Sequence, residues 1–339
     1  MILQERGAHL PASGLTLIDL DQPLPGQRRF ISCWLSRREG LTFVTDPGPP
    51  STVAHLLERL RSEAIEDLDF VLLTHIHLDH VGGTAAVLRT YPQARVYCHA
   101  SGVEHLLAPE RLWQGSRAVL GSVAEVYGAP AALPEAAFAS ERDLAQAGIQ
   151  VLETPGHAWH HVSFLHESTL YLGEAAGTFA ALPGYAGATG ASGRDEVAGS
   201  ATGSGERFYL RPATPPRFFQ ERALRSLDLL LAIQPPPRRL AFAHYGLAEG
   251  HTPRILRAAR DQLSLWVSIV SQEIGGRGDG PAARVSEEAT TALLQRIQVR
   301  LEREDPLFAR LADLPADIQE RERHFARQSL LGICGERGL

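Results

Sequence analysis

The stretch FVLLTHIHLDHVGG, Phe70 to Gly83, begins as an apolar strand and then sets His75, His77, Asp79 and His80 within six positions. Leaving such groups unpaired beside a buried run would cost about 1–3 kcal/mol for each orphan. The fold must therefore supply them with partners or with a cation. The pattern is H-x-H-x-D-H, and imidazole nitrogens with a carboxylate are the donor set for zinc or a similar first-row ion, bound at about 2.0–2.2 Å. His75 and His77, at the two-residue spacing of extended chain, leave the strand end on one side. Asp79 and His80 fall on the following turn, aimed at a neighbouring point, so one stretch can serve two adjacent ions. With 14 His in 339 residues, this order arises by chance in on the order of one chain in a thousand. The competing reading is a cluster of hydrogen-bonded polar residues at a strand end.

Further donors follow other β-rich runs: His157 in ETPGHAWHH, Glu174 in LYLGEAAG and His244 in LAFAHYG. The surrounding pattern predicts strands from Leu15 to about Asp46, with RREG as a hairpin turn. It then predicts a helix over STVAHLLERLRSE capped by Ser51, the strand DFVLLTH, and a helix over GGTAAVLRTYP ended by Pro92. ARVYCHA reads as a strand, GVEHLLAPERLW as one helix, and GIQVLETPGHAWHHVSFLHESTLYLGEAAG as strand, loop, strand, turn, strand. The Gly-, Ala- and Ser-rich run of residues 183–205 predicts a mobile surface loop. PPRFFQERALRSLDLLLAIQ has helical period and RRLAFAHYG reads as a strand. Beyond Gly250 the remaining segments are helical, which divides the chain into a catalytic domain, 1–250, and a helical extension, 251–339.

With those donors and the segment VTDPG in place, the chain resembles the metallo-β-lactamase-fold hydrolases, in the branch holding glyoxalase II and the acyl-homoserine lactonases, over about residues 15–250. The resemblance implies an α/β (α+β) four-layer αββα sandwich with a small C-terminal helical unit. It assigns His75, His77 and His157 to one metal and Asp79, His80 and His244 to the other, with Glu174 as the bridging carboxylate. It makes Asp79 and His77 the residues on which catalysis turns, and Asp46 the group that orients a metal-bound His. His161 matches a second His that follows the loop ligand in this family, and its expected role is orientation rather than ligation. The family's bridging residue is usually Asp. Glu174 is one methylene longer, which leaves open whether it bridges, binds one ion, or pushes the metals apart. The implied cofactors are two divalent ions, zinc first, with iron or manganese as alternatives. His160, Tyr209, Arg211 and Tyr245 are candidate substrate contacts or structural residues. His99 reads as a strand-end His, and His55, His105, His166, His251 and His324 as solvated.

Two cations lower the pKa of a shared water from about 15.7 towards about 7. A metal-bridging hydroxide would then attack the carbonyl of an ester, thioester or lactone in a small-molecule acyl substrate. That needs no serine nucleophile, and the chain has no G-x-S-x-G elbow. The alternative on the same fold is a mononuclear iron enzyme resembling the persulfide dioxygenases, using His75, His157 and Glu174; the complete second donor set, His244 included, weighs against it. A flavin-linked di-iron oxidase would resemble the branch with Glu where this chain has His77. A non-enzymatic binding protein would have lost donors. Net charge −6 and pI near 6.2 weigh against nucleic acid and against a phosphodiesterase. All 33 basic residues are Arg and Asn is absent, a coding bias that says nothing of function. Three scattered cysteines, no cationic leader and no apolar run near the roughly 20 residues of a membrane helix predict a cytoplasmic protein. The C-terminal helices either shape the substrate pocket or dimerise through LSLWVSIV.

Overall fold

The computed structural model describes residues 14–185, 207–275 and 287–336. Most of the Gly-rich run expected as a mobile loop, its residues 186–205, lies outside the described residues. Contacts divide the chain into two compact units: one of residues 14–23 and 29–148, the other of residues 24–28 and the described chain from Ile149 onward.

The first unit is a five-stranded sheet in the order β1-β2-β3-β4-β5. β1 (Leu15–Asp19), β2 (Ser32–Arg38) and β3 (Leu41–Thr45) are antiparallel neighbours, whereas β4 (Phe70–Leu72) and β5 (Arg95–Tyr97) join in parallel. The β2–β3 hairpin closes through Glu39 and Gly40, both at positive φ (51° and 83°). Two left-handed residues make the turn whose twist matches paired strands. Parallel strands need crossovers. The first is α1 (Val53–Ser62), which buries Val53, Leu56 and Leu60 along one face. Its N-cap is Thr52 rather than Ser51; the Ser51 hydroxyl donates instead to Gln22. α2 (Leu78–Val81) and α3 (Thr84–Thr90) link β4 to β5. The segment expected as one helix after β5 is two, α4 (Ala100–Leu107) and α5 (Glu110–Leu120). Pro109 disfavours helical backbone at Ala108 and has no N–H to give. α6 (Ser122–Tyr127) and α7 (Glu141–Gln146), the latter with a Ser140–Asp143 capping box, complete the unit.

The second unit carries a sheet in the order β12-β11-β8-β7-β6, built from β6 (Ile149–Glu153), β7 (Val162–His166), β8 (Thr169–Gly173), β11 (Arg239–Phe242) and β12 (Leu247–Glu249). A separate antiparallel ribbon pairs β9 (Thr178–Ala181) with β10 (Phe208–Arg211). α8 (Gln220–Leu231), α9 (Thr252–Gly275), α10 (Glu287–Glu304) and α11 (Ala316–Glu336) supply the helices. One core runs through strands and helices alike. Phe179 stacks on Phe242 at 4.9 Å, and Trp266 meets Phe308 edge-on at 5.1 Å. The apolar run of α9 that was a candidate dimer face puts Leu263, Trp266, Val267 and Val270 into this core.

Two buried carboxylates organise the helices. Asp305 accepts hydrogen bonds from Gln262, the Trp266 indole N–H and the backbone of Leu307 and Phe308. Glu322 of α11 accepts from Tyr209 (3.1 Å), Arg211 (2.8 Å) and Arg321 (2.9 Å). Burial alone would raise the Glu322 carboxyl, but Arg211 and Arg321 outweigh it and hold its pKa at about 2.

Candidate metal centre

Each unit presents its own converging donors. In the first, β3 is followed directly by Asp46, a non-glycine residue at φ 53° whose N–H donates to the Leu72 carbonyl of β4. Asp tolerates this left-handed conformation better than most residues, and it turns the carboxylate towards the end of β4. There Asp46 accepts from the Thr74 backbone N–H (2.8 Å), from the Thr74 hydroxyl (2.7 Å) and from His80 Nδ1 (3.2 Å). A carboxylate only accepts, so the His80 proton sits on Nδ1 and its Nε2 keeps a lone pair. Thr74 spends its one hydroxyl proton on Asp46, so its oxygen accepts from His75 Nδ1, 3.0 Å away. His75 Nε2 is thereby also left as a lone pair.

That Nε2 lies 3.0 Å from His77 Nδ1, and His80 Nε2 lies 3.5 Å from an Asp79 carboxylate oxygen. Asp46, His75 and His80 offer ligand-type atoms all within 4.8 Å of one another. Both oxygens of Asp46 are already engaged, which makes it a positioning residue for His80 and Thr74. The histidine nitrogens are the atoms aimed outward as ligands. Tautomers fixed by a carboxylate and a hydroxyl are the arrangement that suits metal-binding imidazoles, so this donor set fits a divalent cation.

In the second unit His157 follows β6 in a loop shaped by Gly156. A Cβ there would sit 2.6 Å from the Ala223 Cα of α8, so only glycine allows this approach. His157 Nδ1 donates to the Ala213 carbonyl at 3.0 Å, which leaves Nε2 facing one Glu174 carboxylate oxygen at 2.9 Å. The other Glu174 oxygen is 3.5 Å from His244 Nε2, at the end of β11. His161 has both nitrogens committed: Nε2 accepts from the Glu174 backbone N–H (3.0 Å) and Nδ1 donates to Thr154 (2.9 Å). Thr154 in turn donates to Ser163, which donates to the Leu172 carbonyl. His161 therefore positions the Glu174 backbone. Beside His157 and Glu174 lies a cavity with about 20 Å³ of free space, walled by Ala213, Phe218, Leu227 and Leu263. That is room for about one water.

The structure keeps Tyr209 and Arg211 from acting as substrate contacts: both are fully buried and committed to Glu322, with Arg211 also donating to Ser329 and Thr178. His160 and Tyr245 are half-buried on the loops that carry His157 and His244. His99 caps α4, accepting from the Ser101 N–H. Thr74, Thr154 and Ser163 were not singled out from sequence. Their signal is adjacency, since each stands within three residues of a histidine of the donor set or of His161.

The sequence profile of the Metallo-beta-lactamase superfamily matches residues 26–244, and the chain belongs to that superfamily. Among its relatives, the Metallo-beta-lactamase fold-containing protein ST1585 of Sulfurisphaera tokodaii is 26% identical over 250 residues, covering 70% of this chain and 82% of that protein. The hydroxyacylglutathione hydrolase of Aeromonas salmonicida is 30% identical over 141 residues, 42% of this chain and 44% of that enzyme. The chain thus spans less than half of that hydrolase. Among solved structures, ST1585 superposes with a TM-score of 0.55 at 22% identity, covering 86% of this chain and 98% of the other. The metallo-beta-lactamase family protein TTHA1429 of Thermus thermophilus gives 0.58 at 17% identity, covering 95% and 92%. The chain shares their metallo-β-lactamase fold. No helix among the described residues is long and apolar enough to cross a membrane.

Proposed function

We propose that this chain is a metal-dependent hydrolase of carboxylic esters, thioesters or lactones of small molecules. Its cofactor in this reading is a pair of divalent cations, zinc first, with iron or manganese as alternatives. His75, His77 and His157 would hold one ion, Asp79, His80 and His244 the other, and Glu174 both. The observation that carries the reading is Glu174: its two oxygens face two different imidazoles, His157 Nε2 at 2.9 Å and His244 Nε2 at 3.5 Å. A carboxylate that divides its oxygens between two ligand histidines has the disposition of a bridge, and the extra methylene of Glu does not prevent it.

When bound, such cations acidify water and polarise a carbonyl oxygen. The chain's own residues do the rest. Asp79, partly exposed at the start of α2, accepts and orients the proton of the attacking water. The Asp46–Thr74 pair holds His75 and His80 in the tautomers that expose Nε2, and the His161–Thr154–Ser163 chain fixes the backbone of Glu174. Membership of the Metallo-beta-lactamase superfamily and the similarity to a hydroxyacylglutathione hydrolase support this class of reaction. Three free, buried thiols, Cys33, Cys98 and Cys334, support a reducing, cytoplasmic setting.

The test is metal analysis joined to a panel of thioesters, lactones and phosphodiesters on zinc-, manganese- and iron-loaded protein. Two ions per chain and oxygen-independent acyl hydrolysis, abolished in His77→Ala and Asp79→Ala, are the expected results. One iron per chain with oxygen uptake would sink the proposal.

A further inference from the structure

We propose that Trp159 and Arg222 form a recognition patch beside the His157 donor that selects acyl substrates carrying a free carboxylate; this rests on the hydrolase reading above. Trp159 is 51% exposed, an unusual placement for an indole. It does not hang loose. The Arg222 guanidinium carbon lies 4.0 Å from its ring centroid, and Phe219 meets it edge-on at 5.8 Å and 71°.

The loop beneath it is pinned by its own backbone. Gly156 N–H donates to Ala158, His161 N–H to Ala158, Thr154 N–H to His161, and Phe219 N–H to Gly156. Trp159 is two residues beyond His157, so their Cα atoms are within about 7 Å whatever the local bend. A rigid, solvent-facing aromatic at that distance from a donor histidine borders whatever molecule reaches the centre.

Arg222 sets the charge preference. It is exposed, and among the described residues it makes no ion pair, whereas Arg225 on the same helix is held by Glu221 at 3.1 Å. A guanidinium stacked on an indole keeps its in-plane N–H edge for a carboxylate, which it grips in bidentate fashion. Arg217, in the turn before α8, is likewise exposed without an ion pair among the described residues. In a chain of net charge −6, an arginine beside the donor loop with no ion pair among the described residues gives a local attraction for an anion. The carboxylate would meet Arg222 while the apolar stem of the same substrate lies along Trp159, a pairing of residue types that dominates recognition surfaces.

The test compares the mono(4-nitrophenyl) ester of glutaric acid, which carries a free carboxylate, with its neutral methyl diester on zinc-loaded full-length protein. The wild type is expected to favour the anionic ester by about tenfold in kcat/KM, the difference lying in KM. Arg222→Gln and Trp159→Ala bring that ratio close to one. Arg222→Lys, which keeps the charge without the stacking plane, falls between, and Arg238→Gln, an exposed charge at the opposite end of β11 from His244, leaves the ratio as it was. Glutaranilic acid, whose anilide resists hydrolysis, gives a readout without turnover. It should quench tryptophan fluorescence in the wild type but not in Trp159→Phe, with a Kd about tenfold weaker in Arg222→Gln. If neither ester is cleaved while this binding persists, the hydrolase reading fails and the patch stands. Equal affinity of wild type and Arg222→Gln for the anilide overturns the patch alone. A Trp159→Ala protein that changes its sedimentation but not its affinity assigns the surface to self-association, which also overturns it.

Discussion

Thr74 has one hydroxyl proton, and spending it on Asp46 decides which nitrogen His75 presents (Thr74 Oγ to Asp46 2.7 Å, to His75 Nδ1 3.0 Å). Thr74→Val keeps the shape and removes that relay. The expected result is a protein that still folds, at a cost of about 1–3 kcal/mol for the buried His75 N–H left without its acceptor, and whose zinc affinity, measured by competition with a chelator, falls about 10- to 100-fold. Unchanged affinity would show that the relay does not orient the ligand. Asp19 offers a second test at this scale. One of its carboxylate oxygens is buried with no hydrogen-bond partner among the described residues. Burial first, and then repulsion from Asp21, lift its pKa from 3.8 to about 6 against the pull of Arg29. Between those values the folded chain binds more protons than the unfolded one, so this residue's contribution to stability falls as pH rises from 3.8 to about 6 and stays low above. Asp19→Asn should therefore raise the denaturation midpoint at pH 7.5 more than at pH 4. An equal gain at both would assign the effect to packing.

Elements were legible where a short-range signal set them, and not where a tertiary partner did. The Glu39–Gly40 turn announces itself, because few residues other than glycine and its polar neighbours accept positive φ. β9 and β10 do not, since four-residue strands in a separate ribbon carry no periodicity long enough to read. Pro109 lies between two runs of helical apolar spacing that read as one helix, and it parts them into α4 and α5. Arg211 illustrates the same limit: an arginine in FYLR looks like a solvent-facing ligand contact until α11 brings Glu322 to meet it 2.8 Å away. The pair makes a prediction at this scale. Glu322→Gln leaves Arg211 and Arg321 buried without their counter-charge, which costs about 3–5 kcal/mol in the urea unfolding free energy at pH 7. The wild-type carboxyl, held at about 2 against an ordinary 4.5, contributes stability that is fully present above 4.5 and lost as pH falls towards 2. The gap between wild type and variant should close over that window. A gap independent of pH would place the loss elsewhere.

For the whole molecule, the donors were legible because their chemistry is rare and their order along the chain is fixed, whereas the hydroxyls that set their tautomers look like any Thr or Ser. Thr154 and Ser163 gain meaning only once His161 and the Glu174 N–H are seen between them. The proposed ligands come from residues as far apart in sequence as His75 and His244. A cation bound by such a set is bound by the folded chain and not by the unfolded one, so metal binding becomes a component of global stability. At free zinc a hundredfold above its dissociation constant, that linkage amounts to about 2.7 kcal/mol. In a chain of this size it corresponds to on the order of 5 °C in Tm. Calorimetry of chelator-treated protein, with and without added zinc, should show that rise in the wild type. It should shrink in Glu174→Ala, which removes both oxygens that face His157 and His244, and survive in Glu174→Asp, whose carboxylate can still reach the imidazoles. A rise of equal size in Glu174→Ala would mean that the stabilising cation sits on the His75–His80 segment alone, and the two-ion arrangement would have to be given up.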